Sequence, residues 1–161
     1  MTRGVPEPQL GAWRAVLNAH AAIVQRVEEA LAAADLPPLS WYDVLWAVRR
    51  APGRRIRMAP LAASLTLSRG GLTKLVDRLE RAGLLRREPA DDDARGLHAV
   101  LTAAGEETLR RMWPVYARVL RETFVASVEP EEAEAIAAGL SRAARAAEAP
   151  VSRAPARRNP G

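Results

Sequence analysis

The chain has 161 residues, 48% of them apolar and 27% charged, enough for one soluble domain with a real core and no need of a covalent staple. The absence of cysteine excludes disulfides, a thiolate nucleophile, a thiol redox sensor and cysteine-ligated zinc. The net charge of +5 is unevenly spread: residues 49–95 hold twelve basic and six acidic side chains between slightly acidic flanks, a polyanion-binding footprint on a near-neutral scaffold.

Residues 1–8 read as a loose lead-in without the apolar core of a signal peptide, and no apolar run reaches the roughly 18 residues of a membrane span. The expected location is therefore the cytoplasm, with no membrane partner. Leu10, Trp13, Leu17, Ala21, Val24, Val27 and Leu31 recur at spacings of three and four, which predicts a long amphipathic helix over 9–34, ended by Asp35-Leu36-Pro37-Pro38. Ser40 is the expected N-cap of a second helix, from Trp41 to about Arg50, with Val44, Leu45 and Val48 inward. After the break at Ala51-Pro52-Gly53, Arg55-Ile56-Arg57 suits one short strand and 58–64 a short third helix.

Thr66-Leu67-Ser68 reads as a turn, with Ser68 capping a fourth helix to Ala82; its inner face is Leu72, Leu75, Val76 and Leu79, and Gly83 stops it. Two β-prone runs, 84–88 and 97–101, flank a polar hairpin tip at 89–96. Thr102 caps a fifth helix to about Val125, with Pro114 expected to kink it or lie near its start. Pro130 suits the first position of a sixth helix, with acids favourable to its dipole. The arginine- and proline-rich stretch 149–161 reads as a disordered basic tail. The fold class is mainly α with a small β-wing: six helices, two of them short and followed by a hairpin, as in a winged helix-turn-helix.

With Leu72, Leu75, Val76 and Leu79 inward, the fourth helix turns Arg69, Gly70, Thr73, Lys74 and Arg78 to other faces. Arg69, Gly70 and Thr73 lie in its first turns, where a recognition helix presents side chains to base edges. Gly70 and Gly71 each cost about 1 kcal/mol of helix propensity relative to alanine, which makes sense where backbone must approach DNA closely. Ser68 and the open N–H groups of the first turn suit a phosphate, as do Lys74 and Arg78. The competing reading is an ordinary amphipathic helix with a solvated basic face. In the hairpin tip, Asp93 stands two residues before Arg95 and can hold its guanidinium ready for a narrow minor groove; taken alone, the pair is an exposed ion pair of about 0–1 kcal/mol.

Residues 67–85, LSRGGLTKLVDRLERAGLL, resemble the signature of the MarR family: L-S, a variable stretch, then L-T-x-L-V-D-R-L-E-x-x-G-L. The likeness runs on through Arg87, Pro89, Asp93-x-Arg95, Val100-Leu101-Thr102 and Gly105, about 40 residues in all. It departs from the pattern at Asp91-Asp92-Asp93, where the family often has one Asp before two arginines, leaving Arg95 as the wing's main expected DNA contact. The resemblance implies an obligate-type homodimer in which 9–35 and 102–148 form the helical dimerisation platform and 36–101 the DNA-binding winged domain. It also implies a transcriptional regulator of double-stranded DNA, reading a pseudo-palindromic operator. Repression relieved by a small aromatic or phenolic ligand would be in character.

Candidates for a ligand pocket between the subdomains are Trp13 and His20 on the first helix, Tyr42, Asp43 and Trp46 on the second, and Met112 on the fifth, although such residues at helical spacing are more often core. No cofactor or metal is expected, because His20 and His98 are the only histidines and stand far apart. Asp43, His20 and Ser40 lack the spacing of a triad and no glycine-rich phosphate loop occurs, so an enzyme is not expected. The alternative function is a winged-helix module for protein–protein contact without DNA binding.

Overall fold

The computed structural model describes residues 4–65, 68–90 and 93–148, and only the backbone of Arg69 and of 93–95. The elements are α1 (Glu7–Ala33), α2 (Leu39–Arg50), β1 (Arg55–Arg57), α3 (Met58–Ser64), α4 (Arg69–Arg81), β2 (Leu85–Ala90), β3 (Asp93–Leu101), α5 (Ala103–Leu120) and α6 (Pro130–Glu148), a mainly helical chain with a small sheet. The chain divides into two compact units, 1–123 and 124–161.

In the first unit, helix ends follow from local chemistry. Asp35 and Gly83, at φ of +52° and +72°, each take the left-handed conformation that closes α1 and α4. The Leu36 and Leu84 amides reach back to the carbonyls of Leu31 and Leu79 at 3.0 and 2.9 Å, which satisfies the last turn of each helix. Ser40 is not the N-cap of α2, which already begins at Leu39 after Pro38. Instead the Leu39 amide donates to both carboxylate oxygens of Glu28 on α1, at 3.1 and 3.2 Å, so a residue eleven positions away caps the helix. Pro114 lies well inside α5 rather than near its start; the helix ends at Leu120 and a wide π-type turn covers Arg121–Val125.

One apolar core joins Val27 and Leu31 of α1, Val44, Leu45 and Val48 of α2, Leu61 of α3, Leu72, Val76 and Leu79 of α4, and Leu109 and Met112 of α5. The predicted inner faces of α2 and α4 are buried, Leu75 only partly. The predicted stripe of α1 is buried only in its second half: Trp13 and Leu17 remain 56% and 49% exposed. The sheet is antiparallel in the order β1-β3-β2. Its hairpin strands run longer than the sequence suggests, to Ala90 and from Asp93, with an irregular register at Pro89/Ala90. The strands thus run into the expected tip at 89–96: Pro89 pairs with Leu97 and Ala90, which is buried, with Asp93. Thr66, Leu67, Asp91, Asp92 and the expected tail 149–161 lie outside the described residues.

In the second unit, α6 begins with Pro130 at its first position and Glu131 and Glu132 in its first turn, as its dipole favours. Its apolar residues Ile136 and Leu140 are 40% and 42% exposed.

Candidate nucleic-acid interface

Leu61 and Ala62 of α3 and Leu72, Val76 and Leu79 of α4 are all buried. With that face inward, Gly70, Gly71, Thr73, Lys74 and Arg78 stand exposed on α4. Ser68 is the N-cap, its Oγ accepting the Gly71 amide at 3.1 Å. The hydroxyl that suits a phosphate therefore already serves the helix, and its proton remains free to donate. The two glycines have different reasons. A Cβ at Gly71 would sit 3.1 Å from the Ser68 Oγ, whereas one at Gly70 would meet nothing within 4 Å. Nothing within the described chain requires glycine at 70, so its bareness is available to a partner.

Lys74 and Arg78 form no ion pair among the described residues. Much of the basic middle is otherwise engaged: Arg49 and Arg54 reach Glu106 of α5 at 3.1 and 3.5 Å, and Arg86 reaches Glu88 at 2.6 Å. The local charge of residues 49–95 thus overstates what remains for a polyanion. The side chains of Arg69, Asp93 and Arg95 lie outside the description, and the backbone places Asp93–Arg95 in β3 rather than in a turn.

A clamp that sequence reasoning did not find joins the wing to α4. The Arg87 guanidinium on β2 donates to Asp77 Oδ1 at 2.5 Å and to Glu80 Oε2 at 2.6 Å, while the Arg87 amide donates to Glu80 Oε1 at 2.9 Å. A longer bond of 3.5 Å reaches the Thr73 carbonyl in the first half of α4. Asp77 and Glu80 lie one turn apart and face the same guanidinium, so the hairpin and the exposed face of α4 hold a fixed relation. The signal available in the sequence was the D-x-x-E spacing on α4 with an arginine two residues after the Leu84-Leu85 pair.

The ligand-pocket candidates are dispersed between core and surface. Met112 and Tyr42 are core residues, 0% and 5% exposed, while Trp13, His20, Asp43 and Trp46 are exposed. A line of aromatic contacts does join α2 to α5: Trp46 stacks on Tyr42 at 6.0 Å, Tyr42 meets Tyr116 edge-on at 5.3 Å, and Tyr116 meets Trp113 at 6.0 Å. Beside it, partial desolvation and then the Glu28 charge raise the Asp43 carboxyl above the ordinary Asp value, although much of the residue stays open to water. Burial raises Tyr42 and Tyr116 as well. Among the described residues no cluster of three metal-ligating side chains occurs, and no helix is long and apolar enough to cross a membrane.

Residues 34–96 match the model of the MarR family. The fold is similar to the crystal structure of AbsC, a MarR family transcriptional regulator from Streptomyces coelicolor, at 31% identity and a TM-score of 0.81, covering 91% of this chain and 98% of that one. It is similar too to Sco3205 from the same organism, a MarR family regulator crystallised in complex with DNA, at 28% identity and a TM-score of 0.81 over 94% of both chains. The transcriptional repressor MprA of Escherichia coli K12 is 34% identical over 83 residues, half of this chain and 47% of MprA. The chain spans about half the length of the curated relatives it matches.

Proposed function

The chain belongs to the MarR family, and from that premise we propose that it is a sequence-specific regulator of transcription that binds double-stranded DNA through α4 and the β2–β3 wing. The observation that carries the reading is the α4 face. Its first turns expose Gly70 and Thr73 above a capped N-terminus, Lys74 and Arg78 beside them have no ion pair among the described residues, and Arg87 locks that face to the wing. Thr73 and Arg69 would read base edges; Ser68, Lys74 and Arg78 would hold phosphates; Arg95, steadied by Asp93, would enter the minor groove.

The DNA-bound form is proposed to be a homodimer on a pseudo-palindrome. Trp13 and Leu17 on α1, Trp113 on α5, and Ile136 and Leu140 on α6 are large apolar side chains left 40–56% exposed on three helices. A second copy covers such faces with self-complementary surface, and two recognition helices about 34–36 Å apart then meet successive turns of one DNA face. Repression completes the proposal, by analogy with MprA. Its relief by a small aromatic ligand finds support in the aromatic line beside Asp43.

The test is a nuclease footprint on DNA flanking the protein's own gene and on pooled genomic fragments, across a salt series. Protection of about 20 base pairs with two-fold character is expected, with affinity falling by about 0.9 log units per log unit of salt for each phosphate contact. A folded dimer that protects no fragment at low salt would overturn the reading in favour of a protein-binding winged helix.

A further inference from the structure

Among the described residues, two that are not glycine take the left-handed conformation, Asp35 at φ +52° and Arg54 at φ +55°. Aspartate visits that region readily, because its short side chain can bond the local backbone. Arginine has no such compensation and carries the clash of Cβ with the following carbonyl. Arg54 follows a Pro52-Gly53 turn, which its own amide closes on the Ala51 carbonyl at 2.9 Å. Gly53, at φ +63°, already supplies the left-handed residue of that turn, so a second in succession is added strain and needs something to hold it. The next residue, Arg55, starts β1, and β1 passes without a break into α3.

Glu106, in the first turn of α5, meets that residue. Its Oε2 lies 3.5 Å from Arg54 Nη1, and its Oε1 lies 3.1 Å from Nε of Arg49, near the end of α2. The Glu106 side chain is only 17% exposed, and Oε2 is buried without a hydrogen bond, so the Arg54 guanidinium supplies the opposite charge on that side. The Arg49 guanidinium also lies over the Trp46 ring, 5.3 Å from its centroid, and Trp46 stacks on Tyr42. The carboxylate is thus steadied from α2 while it holds the turn.

We infer that Glu106 is a positioning residue for the DNA-binding surface: it holds Arg54 in its strained turn and so fixes where β1 enters the sheet and where α3, the first helix of the helix-turn-helix, begins. β1 pairs with β3 over Arg55–Arg57, and β3 pairs on its other side with β2. The edge that the turn sets is therefore the base from which the wing projects. Without the Glu106 charge, Arg54 relaxes toward negative φ at the expense of the pairing of Arg55 with Val100. The consequence for DNA rests on the function proposed above; the consequence for β1 does not.

Amide hydrogen exchange of the full chain tests the hold on β1. Glu106→Gln keeps the size of the side chain and removes its charge. Exchange over 55–57 is expected to rise about tenfold, while 85–88 in β2, on the far side of β3, keep their rates. Arg54→Gly abolishes the strain and with it the need for a tie, so Glu106→Gln should add nothing over 55–57 in that background. Should Glu106→Gln not fold, Arg54→Ala keeps the strain without the guanidinium, and it should raise exchange where Arg54→Gly does not. Operator affinity is read on the same variants, with a fall of about fivefold expected for Glu106→Gln and recovery in Glu106→Gln/Arg54→Gly. Both changes run against plain electrostatics, since the first removes a negative charge and the second a positive one. Unchanged exchange over 55–57, an equal rise over 85–88, equal exchange in Arg54→Ala and Arg54→Gly, or an undiminished effect of Glu106→Gln in the Arg54→Gly background would each overturn the inference. Equal operator affinity of parent and Glu106→Gln would overturn it too and leave the proposed function standing. A parent that binds no DNA overturns that function instead, and the exchange cycle alone then decides the hold on β1.

Discussion

The Arg87 guanidinium meets two carboxylates one turn apart on α4, and its own side chain is only 20% exposed while Asp77 and Glu80 are 44% and 37% exposed. Water screens such pairs in part, so Arg87→Ala is expected to cost about 1–2 kcal/mol, read as a lower urea midpoint at unchanged m-value. DNA affinity should fall with it, because the wing loses its tie to α4. Restoring neutrality with Glu80→Gln in the same chain should recover part of the stability; a variant as stable as the parent would reduce the clamp to a screened surface contact. Arg95→Ala should weaken DNA binding by about 1–3 kcal/mol with the dimer intact, and unchanged affinity would remove the wing from recognition. Asp43 carries a pH dependence of the opposite sign to most carboxylates. Its raised native pKa means the folded chain holds that proton more tightly than the unfolded one. Its contribution is thus fully present below the unfolded pKa and is lost as pH rises through the native one. Asp43→Asn should therefore stabilise the chain at pH 7, with the advantage disappearing toward pH 4 in parallel denaturation curves; an advantage constant with pH would point to packing instead. These partnerships were hard to read in the sequence. Asp77, Glu80 and Arg87 look like ordinary surface charges until α4 and β2 are brought side by side, whereas the exposure of Lys74 and Arg78 followed from helical period alone.

At the scale of elements, the wing is joined to α5 through a close approach that explains a glycine. Thr102 caps α5 by accepting the Gly105 amide at 3.0 Å, and its hydroxyl lies 2.8 and 2.9 Å from the carbonyls of Gly83 and Leu84, which close α4. The wing's exit, the end of α4 and the start of α5 therefore meet at one point. A Cβ at position 105 would collide with the Leu84 carbonyl oxygen and press on the Leu101 side chain at 2.8 Å. Backbone on one side and helix on the other leave nowhere to move, so Gly105→Ala should destabilise by about 2–4 kcal/mol by thermal unfolding, more than helix propensity could return. A stability within about 0.5 kcal/mol of the parent would show that this junction relaxes freely. Element order, the caps at Ser68 and Thr102 and the stop at Gly83 were legible because each depends on residues within a turn of one another. The cap of α2 was not, since Glu28 reaches Leu39 across the α1–α2 bend while Ser40 offered a plausible local substitute. The strands of the wing were underestimated for a related reason: pairing between β2 and β3 continues past Pro89, which carries no strand preference, to Ala90 opposite Asp93 after a shift of register.

At the scale of the whole molecule, the hydrophobic pattern was read correctly as helix but could not say which apolar residues a single chain covers. Val27 and Leu31 are fully buried in the core of the first unit, yet Trp13 and Leu17 continue the same stripe into water. A periodic stripe extending past its own core has the form of an intermolecular face, and α6 repeats the feature with Ile136 and Leu140. The consequence is a prediction about assembly. Removing residues from Glu129 onward deletes α6 but leaves the first unit's core, which draws none of its buried residues from beyond Val119. The truncated chain should therefore keep its helical signal and a cooperative unfolding transition while sedimenting as a monomer, and its DNA affinity should drop because one winged domain holds only half a palindrome. Sedimentation velocity at several concentrations separates the possibilities. A truncated protein that still sediments as a dimer would confine the interface to α1 and α5, and a full-length chain that is monomeric at micromolar concentration would refute the dimer itself.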